Sequence, residues 1–253
     1  MPTLSSEEIK QIKVCGKILS DALHKVIDSV KPGISAEYLN DIAEKQLRNS
    51  GARPSFLNHK SHNGNRFPAS LCVSINDEIV HGVPTKDKII HQGDLVGLDL
   101  GAEYLGICTD MAVTIIAGKP DNENDKKLVN SAKEALNLGI KASCAGNTIG
   151  DIGFSIQKYV ESRGFSVIRS LVGHGIGKEP HQDPQVPNFG KKGEGIKLVP
   201  NTAIAIEPMI SLGSHEVKTK KDGWTVIMAD GKKGAHFEHT VLITPSKPIV
   251  ITQ

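Results

Sequence analysis

The sequence predicts an α+β fold built from two similar halves. Helical text comes in two pairs, one near the N-terminus and one mid-chain, and strand-like text follows each pair. Apolar residues are 38% of the 253, enough for a sizeable core, and aromatics only 4%, so that core is aliphatic. No Pro/Gly/Ser-rich linker and no low-complexity tract divides the chain, so one domain over 1–253 is expected. No repeat of fixed period is visible.

The first helix starts at Ser5, with Glu8 at capping-box spacing. Ile9, Ile12, Leu19, Leu23, Val26, Ile27 and Val30 form one apolar stripe, and Lys31-Pro32-Gly33 stops it. The second helix runs from Ser35 through Leu39, Ile42 and Leu47 to Gly51. Residues 50–68 are polar and rich in Asn, His, Ser and Gly, and read as a loop. Leu71, Val73 and Ile75 alternate with Cys72 and Ser74 as a strand. Strands are also expected over 94–100, with Asp99 facing away from Val96, Leu98 and Leu100, and over 111–116. Helices return at 123–142, on Leu128, Ala132, Ala135, Leu136 and Ile140, and at 149–163, where Thr148 and Asp151 form a capping pair. Strands close the chain at 166–168, 203–210, 225–228 and 237–244.

Lys+Arg is 30 and Asp+Glu 28, a net charge of +2, which argues against nucleic-acid binding by bulk charge. Cys15, Cys72, Cys108 and Cys144 form no CxxC pair, and four are too sparse for a disulfide scaffold. The start, MPTLSSEEIKQIK, has no apolar signal region, and no apolar run approaches the ~18 residues of a membrane span. A cytoplasmic protein is expected.

Four acids stand out. Asp99 in VGLDLG, Asp110 in CTDMAVT, Glu207 in AIAIEPMI and Glu238 in HFEHTVLIT each sit in apolar strand text. One such acid is an ordinary strand-end group bonded to a turn. Four are hard to satisfy without a cation, because a buried carboxylate is costly and paired carboxylates repel. His174, between Gly173 and Gly175, adds an imidazole, and His181 follows in the same stretch. His81 lies in EIVHGVP, between strand text and a turn. His59, His62, His91, His215, His236 and His239 have no comparable context. Four carboxylates and an imidazole without thiolate suit Mn, Co, Fe, Zn or Mg, and suit a pair of ions bridged by carboxylates. Such a pair holding a hydroxide is the apparatus of two-metal hydrolysis.

These motifs, SINDEIVHGVP, GDLVGLDLGAEYLGICTDMAVT, GHGIGKEPHQDPQVPN, AIEPMI and HFEHTVLIT in that order, resemble the type I methionine aminopeptidases of the pita-bread metallopeptidase fold. The resemblance covers essentially the whole chain. It implies two pseudo-symmetric halves with an antiparallel sheet core and helices on the outer face. The short N-terminal region looks like the bacterial form, and the lack of a large insertion between His174 and Glu207 argues against type II. The implied cofactor is two divalent metal ions. Asp99 would bind one, Asp110 and Glu238 would bridge both, and His174 and Glu207 would complete the second site. Glu207 would also serve as general base for the bridging water. His81 would contact the substrate amide, and His181 the scissile carbonyl. Phe67, Cys72 and Trp224 would line the methionine pocket.

The implied reaction removes the initiator methionine from nascent polypeptides, preferring a small second residue. A monomer is expected, with ribosome contact left open and no membrane partner. The chain's own start, Met1-Pro2-Thr3, has such a second residue, which would make it its own substrate. Three departures concern the pocket: Pro180 where the family often has an aromatic, the loop HKSHNGNR over 59–66, and the charged loop IMADGKKGAH after Trp224. The competing readings are a proline-specific aminopeptidase or prolidase, which usually carries an extra N-terminal domain, and a non-catalytic relative, which would have lost ligands. A two-metal phosphoesterase lacks the support of a Gly-rich phosphate loop.

Overall fold

The computed structural model describes residues 2–60 and 64–253. Met1, the proposed self-substrate residue, and His62 lie outside the described residues. Four helices form where expected: α1 Ser6–Ser29, α2 Ala36–Asn49, α3 Glu123–Ala142 and α4 Ile149–Ser162. Local chemistry explains their starts. Ser5 and Glu8 cap α1 reciprocally, and Thr148 and Asp151 do the same for α4.

The first half carries β1 Arg53–Pro54, β2 Leu71–Ile75, β3 Glu78–Val80, β4 Leu95–Tyr104 and β5 Ile107–Ile116. The second begins with β6 Ser166–Val167, β7 Gly173–Gly175, β8 Gln182–Val186, β9 Ala203–Ile206 and β10 Met209–Ser211. It ends with β11 Val217–Thr219, β12 Val226–Met228, β13 Gly234–His236, β14 Glu238–Leu242 and β15 Ile249–Val250. One antiparallel sheet runs β1-β4-β5-β14-β9-β7-β8, with β2 also on β4 and β15 on β14. Its seam is the pairing of β5 with β14, where the two halves meet. Two three-stranded sheets, β13-β10-β6 and β11-β12-β3, flank it.

Apolar parity decides which sheet face the helices cover. In β4, Val96, Leu98 and Leu100 are fully buried with Leu19, Leu23 and Leu39 of α1 and α2. In the second half, Ile204, Ile206 and Val241 pack with Leu128, Leu136, Ile152 and Ile156 of α3 and α4. Each such side chain contributes roughly 1.5–3 kcal/mol on burial. A one-residue slip would turn this row away from the helices and drive the acids among them. The helix face therefore fixes the opposite face, where Asp99, Asp110 and Glu238 project.

Three expectations need correction. The strand expected over 203–210 is two strands in different sheets, broken at Glu207-Pro208, because Pro208 has no N–H to give the ladder. The strand expected over 237–244 is shortened to Glu238–Leu242: Phe237 stands between β13 and β14 and gives its N–H to the Pro208 carbonyl. The loop at 50–68 contains β1, which pairs with Glu103 and Ala102 of β4. The strands β3, β7, β8, β11, β13 and β15 escape sequence reading because two to five residues give too little alternation.

Candidate metal centre

The sheet register gathers the acids. Asp99 of β4 pairs with Ala112 of β5, and Ala112 pairs in turn with Glu238 of β14. Paired residues of antiparallel strands share a face, so Asp99, Ala112 and Glu238 form one row. Asp110 stands two residues along β5 on that face, since it pairs with Gly101. One carboxylate oxygen from each of Asp99, Asp110 and Glu238 lies within 4.8 Å of the others. The small Ala112 between the outer two leaves them room. Thr240 anchors the row by taking the Asp110 N–H at 2.8 Å and giving its hydroxyl to the Asp110 carbonyl at 2.9 Å.

His174 reaches the same face through Ala205, its partner on β9. It sits on a strand, not in a loop. The flanking glycines admit the protein's own backbone: a Cβ on Gly173 would meet the Ala205 carbonyl oxygen at 2.4 Å, and one on Gly175 the Asp183 carbonyl oxygen at 2.2 Å. His174 Nδ1 donates to the Gly175 carbonyl at 3.0 Å, which leaves Nε2 as a lone-pair donor. That Nε2 faces Glu207 Oε1 at 3.6 Å and Glu238 Oε1 at 3.9 Å. Glu207 projects from the break after β9, its carbonyl held by the Asn188 amide at 3.0 Å.

The electrostatics call for a cation. Asp99 Oδ1 and Glu238 Oε1 are buried without a hydrogen-bond partner. Desolvation raises the pKa of all three clustered carboxyls. For Asp110, Asp99 and then Glu207 add to it; for Glu238, Asp110 leads its charged neighbours. Asp99 is pushed up to about 7 by burial, with His236 opposing. Lone pairs of His174 and Glu207 facing each other, beside orphaned carboxylate oxygens, fit divalent metal, and the donor set of O and N is the right chemistry for it.

His81 and His181 border the site. His81 holds a left-handed backbone, φ 58°, unusual for a residue with a Cβ. Burial lowers its pKa, so it is a neutral imidazole at neutral pH. His181 stands at the mouth, its ring 4.4 Å from that of His174 and 5.1 Å from that of His59. One edge is exposed, but desolvation first, then His174, His59 and His81, hold its pKa below the imidazole range.

Beside the acids lies an apolar recess formed by Phe56, Phe67, Ala69 and Cys72, with Trp224 packed on it. Cys72 pairs with Asp99, which puts it on the same face. Burial, then Asp99 and Asp110, push its pKa well up, so it stays a neutral thiol. Phe67 and Trp224 meet edge to face at 5.2 Å. Asp222 holds Trp224 by accepting its N–H at 2.9 Å. Cleft and recess together span about 460 Å³ of space, the open solvent at the mouth included.

The model of metallopeptidase family M24 matches residues 10–245. The chain belongs to metallopeptidase family M24. It therefore binds divalent metal. A methionine aminopeptidase of Aquifex aeolicus is 44% identical over 98% of this chain and 97% of its own length. The crystal structure of a Thermotoga maritima methionine aminopeptidase superposes with a TM-score of 0.95 at 40% identity, covering 100% of this chain and 99% of that one. That match carries the pita-bread architecture. A Bacillus anthracis Xaa-Pro dipeptidase is 26% identical with a TM-score of 0.77, and this chain spans only 62% of it.

In this M24 peptidase the structure thus brings together all the acids and histidines singled out from sequence, and sets Phe67, Cys72 and Trp224 beside them. Pro180 lies instead in a neighbouring groove with Arg48 and Arg53. Three residues of the site escape sequence reading. His236 is buried among the acids, and strand parity with Glu238 was a usable signal. Phe56 and His59 line the cleft with no sequence signal. They arrive because the polar loop closes on itself: Asn58 N–H bonds the Phe67 carbonyl and Phe67 N–H the His59 carbonyl, both at 2.9 Å. The aromatic wall that HKSHNGNR lacks is supplied by Phe56 and Phe67, which flank it. Among the described residues no helix is long and apolar enough to cross a membrane.

Proposed function

We propose that this protein is a metal-dependent aminopeptidase that removes N-terminal methionine from new polypeptides, preferring a small second residue. The observation that carries the reading is one cleft in which five groups able to ligate metal converge beside an apolar recess. The near-full-length match to methionine aminopeptidases supports it over a prolidase.

Asp99, Asp110, His174, Glu207 and Glu238 would hold two divalent ions, from Co, Mn, Fe, Zn or Mg. Bound there, such ions lower the pKa of water and polarise a carbonyl. Glu207 would accept the water proton and pass it to the leaving amine. His181, neutral at the mouth, would donate a hydrogen bond to the scissile carbonyl oxygen, and His81 would contact the amide. Phe67, Cys72 and Trp224 would receive the thioether, an apolar and adaptable group suited to such walls. The reading needs no second copy, since one chain supplies every donor. A cytoplasmic setting is part of the proposal, supported by four free cysteines.

The test is a Met-X-Ser peptide panel on metal-stripped protein with each candidate metal added back. Cleavage of Met-Ala-Ser with at least one metal is expected. Cleavage of X-Pro peptides alone would assign a prolidase-type activity instead. In the same panel Trp224→Ala should raise KM for Met-Ala-Ser about tenfold with little change in kcat, since it removes apolar wall and leaves the donors in place. A fall in kcat alone would remove Trp224 from the methionine pocket.

A further inference from the structure

His236 has no place in the reaction so far, yet it is the most enclosed imidazole of the cleft. Its side chain is 4% exposed and Nε2 is buried without a partner. The backbone is fixed: its N–H donates to Thr114 Oγ1 at 2.9 Å, and that hydroxyl donates to the His236 carbonyl at 2.8 Å. Thr114 lies on β5 on the same face as Asp110, so the His236 backbone is tied to a strand that carries one of the acids. Nε2 lies 3.4 Å from Glu207 Oε2 and 3.9 Å from Glu238 Oε2.

The two imidazoles bracket Glu207 from opposite edges. His174 faces Oε1, and His174, Glu207 and Glu238 have donor atoms close enough to share one cation. His236 is outside that trio and faces the other edge. An unprotonated Nε2 there would set a lone pair against a carboxylate oxygen in a dry site, which is costly. A proton on Nε2 makes the contact attractive. The 3.4 Å separation is just beyond the usual ~2.7–3.2 Å range, so the bond requires the two side chains to turn toward each other.

We propose that His236 is a positioning residue that donates Nε2–H to Glu207 Oε2, holding the carboxylate so that Oε1 faces His174. The proposal rests on the metallopeptidase reading of the cleft. Without this bond Glu207 can swing about its last torsions, and both its metal-side oxygen and its proton acceptance lose their aim.

The test compares His236→Phe, which keeps a ring and removes the donor, with His236→Gln, whose amide can still donate. Three readouts are taken. Steady-state cleavage of Met-Ala-Ser should show kcat about 10–100-fold lower in His236→Phe with KM within about twofold, and most of the loss recovered in His236→Gln. Calorimetric titration with Mn should show weaker binding in His236→Phe and recovery in His236→Gln. Long-range ¹⁵N–¹H correlation on metal-free wild type should find the His236 proton on Nε2. A bare Nε2, wild-type behaviour of His236→Phe, or a His236→Gln as impaired as His236→Phe would each overturn the proposal, the last by making the imidazole itself a ligand. If His236→Phe does not fold, the glutamine variant and the tautomer still decide. If wild type does not cleave Met-Ala-Ser, the functional reading fails, while calorimetry and the tautomer still judge His236.

Discussion

Glu207→Gln is expected to lower turnover of Met-Ala-Ser by about 10²–10⁴-fold, the range typical for removing a general base. The amide is nearly isosteric, so packing should not change. Asn188 and Pro208 hold the backbone at this point, and neither depends on the carboxylate. What changes is chemistry: an amide oxygen does not take up a proton at neutral pH. Because Glu207 also faces His174 in the proposed donor set, the variant should bind metal more weakly too. The comparison is therefore made at saturating metal, with metal content measured by elemental analysis. Near-normal kcat in fully loaded Glu207→Gln would remove the general-base role.

The clustered carboxyls should cost the metal-free protein stability as pH rises from about 4 to above 7, and added metal should abolish that cost. Asp99, Asp110 and Glu238 all have folded-state pKa values above their ordinary ones, desolvation being the first cause in each. A carboxyl with a raised pKa keeps its proton longer when folded than when unfolded. Between the two pKa values the folded state binds more protons, so unfolding free energy falls with rising pH. For Asp99 the window opens at the ordinary value of 3.8 and extends to about 7. The other two shift the same way and prolong the decline. The total is of the order of a few kcal/mol, several degrees in Tm or more. Carboxyls with lowered pKa, such as Asp230, which accepts the Ser214 and Lys232 N–H groups, give the opposite slope below about pH 4. Buried histidines with lowered pKa, His181 and His239 among them, give that opposite slope up to about pH 6.5, so the net decline is expected above it. Asp110→Asn removes one of the three clustered charges. It should flatten the decline in metal-free protein and weaken metal binding strongly. Thermal melts across pH, with and without Mn, check both. A metal-free Tm that stays level from pH 6.5 to 8 would contradict the buried-carboxylate account.

Much of this was legible in order along the chain. The capping pairs Ser5/Glu8 and Thr148/Asp151 set helix starts, because a cap is satisfied within four residues. The acids were conspicuous against apolar neighbours, and their motifs carried the resemblance to the aminopeptidases. Glu207 was misread as a strand residue because apolar text runs on through Pro208, while the ladder does not. His236 passed unnoticed because a single histidine beside a phenylalanine looks like any strand end.

The sequence by itself determined the helices and the sheet faces, which follow from hydrogen bonds and apolar periodicity between near neighbours, and the five proposed metal donors stood out in it through motifs that resemble the aminopeptidases. Only the tertiary structure decided that Asp99 and Glu238 flank Ala112, that His236 opposes His174 across Glu207, and that Phe56, His59 and Phe67 close the cleft. The physical reason is register. Residues more than a hundred positions apart, on strands from different halves, meet only when the helices have fixed which face of each strand is buried, and no local pattern records that pairing.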